Sequence, residues 1–568
     1  MDFPGFTTDD GSVLSASLTP VFSDNVLDLL NAGTLQVNPS AIITVNSIAD
    51  LVDNDDSVTT LREAINQANA DSDRDLIVFD RSLFASQQTI TLSLGKLDIT
   101  ENLGIIAPRD TLTGENLVTV SGNEASRVFE IEEGATVIFN KLTIADGRGN
   151  IGDNFGGGIN NSGTLILNNS IVRNHRAEYG GGIYNQGNIT VNNSTISDNS
   201  AAGPGLGGGG GIYNQGNVTI NNSTITNNSE SGLGGNGGGG IHNAGGVVTV
   251  NHSNINNNAA SASSNQARGG GIYNVGGTVT LSNSTLNGNS SSGRGGSGGG
   301  IFNNASGRVT LLQTTVSSNT VNGSANEGAG IFNDGTLTVS NSTINDNTVS
   351  GSGSLSSAGG GIYNNGTLTV SKSTINNNTS GSGLLRSGGS GIYNTNNGIL
   401  SVSNSTISNN RTTSQGGGIY NNGTLTLVFS TITQNLAANG GGVFNDANGS
   451  ASARNTIIAS NLLSTNGVNP DVAGTFTSLG YNLIGNSTGS SGFGVTGDIV
   501  GTSDNPIDPL LAPLGFNGGF TQTIALLPNS PAINAADPTL LNTDPITDQR
   551  GFPRVINGRG DIGAFEFS

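Results

Sequence analysis

The chain of 568 residues has no cysteine and no tryptophan, one methionine and three histidines, and only 11% of it is charged. Without cysteine there are no disulfides and no thiol chemistry, and the compartment stays open. His175, His242 and His252 show no metal-ligand spacing. Lysine is confined to Lys96, Lys141 and Lys372, and the net charge is −20, which argues against nucleic acid and anionic membrane surfaces as partners. No stretch approaches the roughly 20 apolar residues of a membrane helix. The start, MDFPGFTTDD, carries neither a basic nor an apolar leader region, so no signal peptide is recognisable.

Glycine is plentiful, with 89 residues, but not at every third position, which excludes collagen. It belongs to a repeat best spelled GGGIYNNGTLTVSKSTINNN at 359–378. The isoleucine or valine of G-G-I-Y-N falls at Ile159, Ile183, Ile212, Ile241, Ile272, Ile301, Ile331, Ile362, Ile392, Ile419 and Val443, at intervals of 24 to 31 residues. A second register runs from Ile171 and Ile196 to Ile432 and Ile458, each followed three residues later by asparagine, from Asn174 and Asn199 to Asn435 and Asn461. Locked registers of this length denote a solenoid, and their regularity argues against a disordered Gly/Ser/Asn chain.

Apolar residues alternate inside each unit, as in Leu368-Thr369-Val370, which is the period of strands with one buried face. Three strands fit each period, at G-G-I-Y, T-L-T-V and S-T-I-x, separated by Asn/Gly turns that accept left-handed backbone. Such short strands become stable only by stacking about 4.8 Å apart into continuous columns. The expected fold is all-β: a right-handed parallel β-helix solenoid with three strands per coil and a less regular C-terminal region. Asn185, Asn214, Asn243, Asn274, Asn303, Asn333, Asn364, Asn394, Asn421 and Asn445 recur in register and are expected to form a structural amide ladder.

Before the regular repeats, Thr60 to Asn69 places Leu61, Ala64, Ile65 and Ala68 on one helical face, predicting a helix over about 60–69 that caps the open core. The expected segments are a leader over 1–40, a cap with first coils over 41–150, regular coils over 151–465 and a distinct tail over 466–568. The stretch VNSIADLVDNDDSVTTLREAINQANAD resembles the N-terminal CSLREA-type domain of bacterial surface proteins, with Thr59 where that motif usually has cysteine. LAPLGFNGGFTQTIALLPNSPAINAAD at 511–537, with TDQRGFPR and DIGAFEF, resembles the choice-of-anchor Q region of the same proteins. The repeats are also similar to those of polymorphic outer-membrane proteins and to the pectin-lyase-like β-helix. The resemblance implies a secreted or cell-surface protein, although such proteins usually carry a sorting signal after DIGAFE and none follows here.

Pectin-lyase-like folds often cut polysaccharides, which takes paired carboxylates or acidic calcium ligands with a base. Between 180 and 465 the acids are Asp198, Glu230, Glu327, Asp334, Asp346 and Asp446. Asp198 and Asp346 share a register five coils apart, about 24 Å, and Asp334 and Asp446 lie about 19 Å apart. No catalytic residue is therefore assigned, and the chain is read as a non-enzyme. Acids concentrate instead in the first 155 positions, which hold 24 of them. Calcium is the one cofactor these suggest, at Asp53 and Asp55 or at Asp71, Asp73 and Asp75; Leu76 and Ser82 break the EF-hand pattern, and solvated loops are the preferred reading.

Next to the inward isoleucines, Tyr184, Tyr213, His242, Tyr273, Phe302, Phe332, Tyr363, Tyr393, Tyr420 and Phe444 form a column that is either a glycan-binding stripe or a stack of rings beneath the neighbouring loops, the preferred alternative. The variable Gly/Ser insertions all enter just before G-G-G-I, so they emerge along one edge beside it. An outward threonine column from Thr190 to Thr426 is ordinary strand propensity, interrupted in its partner column by Val247 and Arg308. The expected function is a rigid adhesin-like or structural spacer with polysaccharide or cell-envelope partners. The alternatives are a polysaccharide lyase or hydrolase, and a layer or filament subunit self-associating through the C-terminal end.

Overall fold

In a computed structural model of the chain, residues 39–567 are described apart from 54–56, 150–153, 204–206, 233–236, 263–265, 324, 351–355, 382–385, 541–545 and 557. The expected leader over 1–40 therefore lies almost wholly outside the described residues. From Ala41 onward the chain winds as one parallel β-helix without a break between the first coils and the regular repeats.

Three long sheets form its walls. The threonine sheet has 16 strands, from Ala41–Val45 to Thr477–Ser478. The aromatic sheet has 15, from Leu97–Ile99 to Ser490–Ser491. The third sheet, built from the S-T-I segments, has 16, from Gln88–Thr91 to Ile499–Val500. A fourth, 11-stranded sheet of very short strands runs from Arg176–Ala177 to Leu462–Val468 beside the three expected ones. It arises because the Ser/Thr-rich residues after each ladder asparagine stay extended before the loop begins. Outside it, Ala325–Glu327, Ser356–Ala358 and Arg386–Gly388 pair as a small sheet, so the loop bases are themselves in register.

The core is the stack of isoleucine, leucine and valine columns; Ile362, Leu368, Val370 and Ile375 of one coil are all 0% exposed. Two left-handed turns per coil close the polygon. Asn193, Asn222, Asn283 and Asn341 occupy one of them at φ 48°, 48°, 51° and 49°, where asparagine is the cheapest residue after glycine. One register is displaced from the sequence reading: Val172, not Ile171, pairs with Ile196, so His175 rather than Asn174 occupies the asparagine column. Asn174 is instead the left-handed turn residue, at φ 61°.

The helix α1, Leu61–Ala68, covers the N-terminal end of the core with Leu61, Ala64, Ile65 and Ala68 buried. Thr60 caps it: its hydroxyl accepts from the Glu63 N–H at 3.2 Å, and the Glu63 carboxylate accepts from the Thr60 N–H at 2.8 Å. Arg62 then ties the helix down, pairing with Asp50 at 2.7 Å and donating to the carbonyls of Gly95 and Lys96. At the other end Phe476 joins the core and Phe493 packs on it at 5.0 Å. Beyond Val500 the chain no longer continues the solenoid. Residues 521–564 fold back over the outside of the third sheet, where the Gln549 amide spans the hydroxyls of Thr374 and Thr406, and Ala564 N–H donates to Thr431.

Candidate functional site

In the aromatic sheet, isoleucine points inward, the next residue outward, and asparagine closes the strand. The outward column is longer than its aromatic part. Register pairing places Asp98, Glu130, Asn160, Tyr184 and Tyr213 in one line, each a strand step of about 4.8 Å from the next. From Tyr184 to Phe444 the rings stack with centroids 4.5 to 5.5 Å apart, and from Phe302 onward their planes lie within 11° of one another. Most rings are covered as well: Tyr273, Phe302, Phe332, Tyr363, Tyr393 and Tyr420 form an apolar cluster with Ala358 of the loop wall, and the Arg268 guanidinium lies over Phe302 at 4.8 Å. His242 sits in the stack between Tyr213 and Tyr273, and burial pushes its imidazole down to about 3.

From Phe302 to Phe444 the parallel rings use their faces on one another, whereas between Tyr213 and Phe302 neighbouring rings meet at 49° to 65°. At the N-terminal end Phe155, 38% exposed, lies on Tyr179 (5.5 Å, 23°) and leans on Tyr184 (4.7 Å, 50°). Tyr179 meets Tyr213 edge-on at 5.5 Å, completing a cluster of four rings. Burial raises the Tyr184 hydroxyl to about 12, and that group donates to Gln215 at 3.0 Å.

The next steps of the column are polar. Asn160 donates to Glu130 at 2.6 Å, while its Oδ1 is buried with no hydrogen-bond partner among the described residues. Lys96 touches Asp98 at 2.9 Å and Glu130 at 3.3 Å, which sets 6.2 Å as the greatest separation of those two carboxylate oxygens. Arg127 pairs with Glu130 and donates to the Phe155 and Gly156 carbonyls. Glu178 takes a bond from Asn154 at 2.8 Å, beside Phe155. Asp98, Glu130 and Phe155 stand outside the G-G-I-Y-N spelling of the repeats, so the repeat pattern does not single them out in the sequence. The legible signal was the alternation in L-D-I at 97–99 and F-E-I at 129–131.

The asparagine column is an unbroken amide ladder inside the wall. From Asn161 through Asn185, Asn214, Asn243, Asn274, Asn303, Asn333, Asn364, Asn394 and Asn421 to Asn445, each Nδ2 donates to the next Oδ1 at 2.6 to 2.8 Å. A second ladder runs in the same direction from Asn199 to Asn461, and its last amide meets the Asp471 carboxylate at 2.9 Å. Every rung donates toward the C-terminal end, so an acceptor-only group is the fitting terminus. Burial raises Asp471 to about 6. His175 opens that ladder, its backbone N–H donating to Asn199 Oδ1 and burial holding its ring neutral, down to about 3.

The acidic loops are not gathered. Asp55 lies outside the described residues, Asp71 accepts from the Asp73 N–H, and Asp75 is buried and bonded to the Ala41 N–H. Among the described residues no group of three or more His, Asp or Glu is placed to hold a metal ion, and no helix is long and apolar enough to cross a membrane. No family model matches the chain. No curated protein matches it. Among solved structures it is similar to the crystal structure of pectate lyase Pel9A, with 13% identity and a TM-score of 0.25 over 94% of this chain and 98% of that one. At that level the likeness bears on neither activity nor substrate.

Proposed function

We propose that the chain is an extracellular or cell-surface β-helix rod that acts as an adhesin-like spacer and binds a glycan at the N-terminal end of its aromatic stack. The observation that carries this reading is the half-open Phe155 ring, the one end of the stack that abuts a polar rung. A sugar presents apolar C–H faces and hydroxyl rims; laid on Phe155 it continues the ring stack while its hydroxyls meet Glu178. The end is preferred to a stripe along the column because the rings from Phe302 to Phe444 spend their faces on one another. The surface setting is supported by the resemblance of 45–71 and 511–567 to bacterial surface proteins. The closed core ends, under α1 and under Phe476 with Phe493, favour a single rod over an end-to-end filament.

Glycan-array binding tests the site. Phe155→Ala is expected to abolish binding that the wild type shows, while Tyr363→Ala, in mid-stack, leaves it intact; the reverse pattern refutes the end site. A second reading, a polysaccharide hydrolase, is favoured by the Asp98/Glu130 approach, two carboxylates that share Lys96 at 2.9 and 3.3 Å, since such chemistry takes paired carboxylates. Against it, Lys96 is held between the two carboxylates where a substrate oxygen would have to enter. Sugar release by the wild type that disappears in Asp98→Asn would establish hydrolysis.

A further inference from the structure

We propose that the cleft between the turn at 80–85 and the hairpin at 108–117 binds a single carboxylate carried on a small apolar body, as at a peptide C-terminus or in a branched organic acid. The site shares no residue with the ring stack and does not depend on the glycan reading. Its two segments lead into the first two strands of the third sheet, Gln88–Thr91 and Val118–Ser121. The turn is closed by the Phe84 N–H on the Asp80 carbonyl at 2.9 Å, and the hairpin by an antiparallel bridge between Arg109 and Asn116. Together they enclose a half-open pocket of about 170 Å³.

The floor of the pocket is apolar and fixed. Phe84 is 1% exposed with its ring edge-on to Phe79 at 5.0 Å, and Pro108 and Leu117 are buried. The rim carries Arg81, Arg109 and Thr111, all exposed. The Arg81 guanidinium makes no hydrogen bond and no ion pair among the described residues. Arg109 gives its Nε to the Gly114 carbonyl, which leaves both Nη groups uncommitted among the described residues. Gly114, at φ 73°, seats that guanidinium against the hairpin, since a Cβ there would stand 3.2 Å from Arg109 Nη2. The acids nearest in sequence pair with neither cation. Asp80 accepts from the Ser82 N–H and hydroxyl, both at 2.7 Å, Asp110 from the N–H groups of Leu112 and Thr113, and Glu115 from Gln87.

Two unpaired guanidinium forks above an apolar floor match a carboxylate joined to hydrocarbon: the forks take its oxygens and the floor takes its carbon body. The volume holds that body to one side-chain-sized group, because pockets for drug-sized ligands run to about 300–1,000 Å³. The chain's net charge of −20 disfavours ligands of high negative charge, which sets one carboxylate ahead of a phosphate.

Ligand-observed NMR titration of the whole chain compares N-acetyl-leucine with N-acetyl-leucinamide, N-acetylglycine, isocaproate and inorganic phosphate, at low and high salt. N-acetyl-leucine is expected to bind about 10-fold tighter than its neutral amide, a preference that shrinks in high salt, and about 10-fold tighter than N-acetylglycine. Arg81→Gln is expected to remove most of the preference for acid over amide at an unchanged urea midpoint, because Arg81 holds nothing else in the fold. Isocaproate separates the two sources: binding equal to N-acetyl-leucine supports a free organic acid, and weaker binding supports a peptide end. Equal binding of acid and amide, or a preference that survives Arg81→Gln, overturns the proposal. N-acetylglycine matching N-acetyl-leucine overturns the apolar body, and phosphate binding tightest overturns the carboxylate. Binding of none of the probes overturns the site altogether.

Discussion

Cutting the amide ladder at mid-rod, with Asn303→Ala, separates a buried polar network from the apolar columns beside it. Asn303 is 0% exposed, accepts from Asn274 at 2.8 Å and donates to Asn333 at 2.8 Å. Removing it strands one N–H of Asn274, although that amide keeps the Gly277 carbonyl at 2.9 Å, and it strands Oδ1 of Asn333. Two buried orphans at about 1–3 kcal/mol each predict a loss of about 2–6 kcal/mol. The control is Asn161→Ala, at the first rung. Its Oδ1 already lacks a donor, so truncation strands only the Asn185 acceptor and should cost about half as much. Urea unfolding followed by circular dichroism reads both shifts, and hydrogen exchange on the flanking coils localises them, since a solenoid need not unfold in one step. Equal midpoint shifts for the two variants, or a mid-rod loss below about 1 kcal/mol, would refute the ladder as a source of stability.

Stability should also depend on pH in two opposing windows. His175 and His242, held at about 3 against an ordinary 6.5, are neutral in the fold, so the stability they allow is fully present above 6.5 and is lost as pH falls toward 3. Glu230, raised by burial to about 8 from 4.5 and with Oε2 unpartnered, contributes stability below 4.5 that is lost as pH rises through 8. Glu230→Gln is therefore expected to raise the unfolding free energy at pH 8 by an amount on the order of 2–4 kcal/mol, seen as a higher urea midpoint, and to change little at pH 4; a lower midpoint at pH 8 contradicts the assignment. Gln549→Ala removes the bridge from the tail to Thr374 and Thr406, so limited proteolysis should cleave 511–567 faster while leaving the coils intact; unchanged cleavage would mean the tail is held by its apolar cluster alone.

The tail illustrates what the repeat pattern conceals. Thr374, Thr406 and Thr431 look like the other threonines of the third sheet, yet they are buried while Thr285 and Thr343 remain partly exposed. Only the return of residues 521–564 across that face distinguishes them. The same return buries Asp561 and binds Arg559 to the carbonyls of Ala535 and Ala536, so both charged side chains of that turn are spent inside the tail. Phe429 shows the reverse case. It occupies a left-handed turn position at φ 46° that asparagine usually fills, and its ring lies under the Arg554 guanidinium at 4.3 Å, a contact invisible without the tail in place.

Local periodicity by itself determined the wall of this rod. Alternation named the inward residues, two registers counted the coils, and asparagine at fixed intervals marked the turns, because a strand's inside and outside are decided within two residues along the chain. The cap was legible for the same reason: Thr60 and Glu63 satisfy each other across one helical turn. Which outward groups meet was decided only by the tertiary structure. The line from Asp98 through Glu130 and Asn160 to Tyr184 joins residues about 30 positions apart, in coils whose spelling differs, and the rings of the stack turn their faces to one another instead of to solvent. Whether a tyrosine is a stripe or a spacer depends on what stands one coil above and below it, and that neighbour is supplied by the winding of the chain.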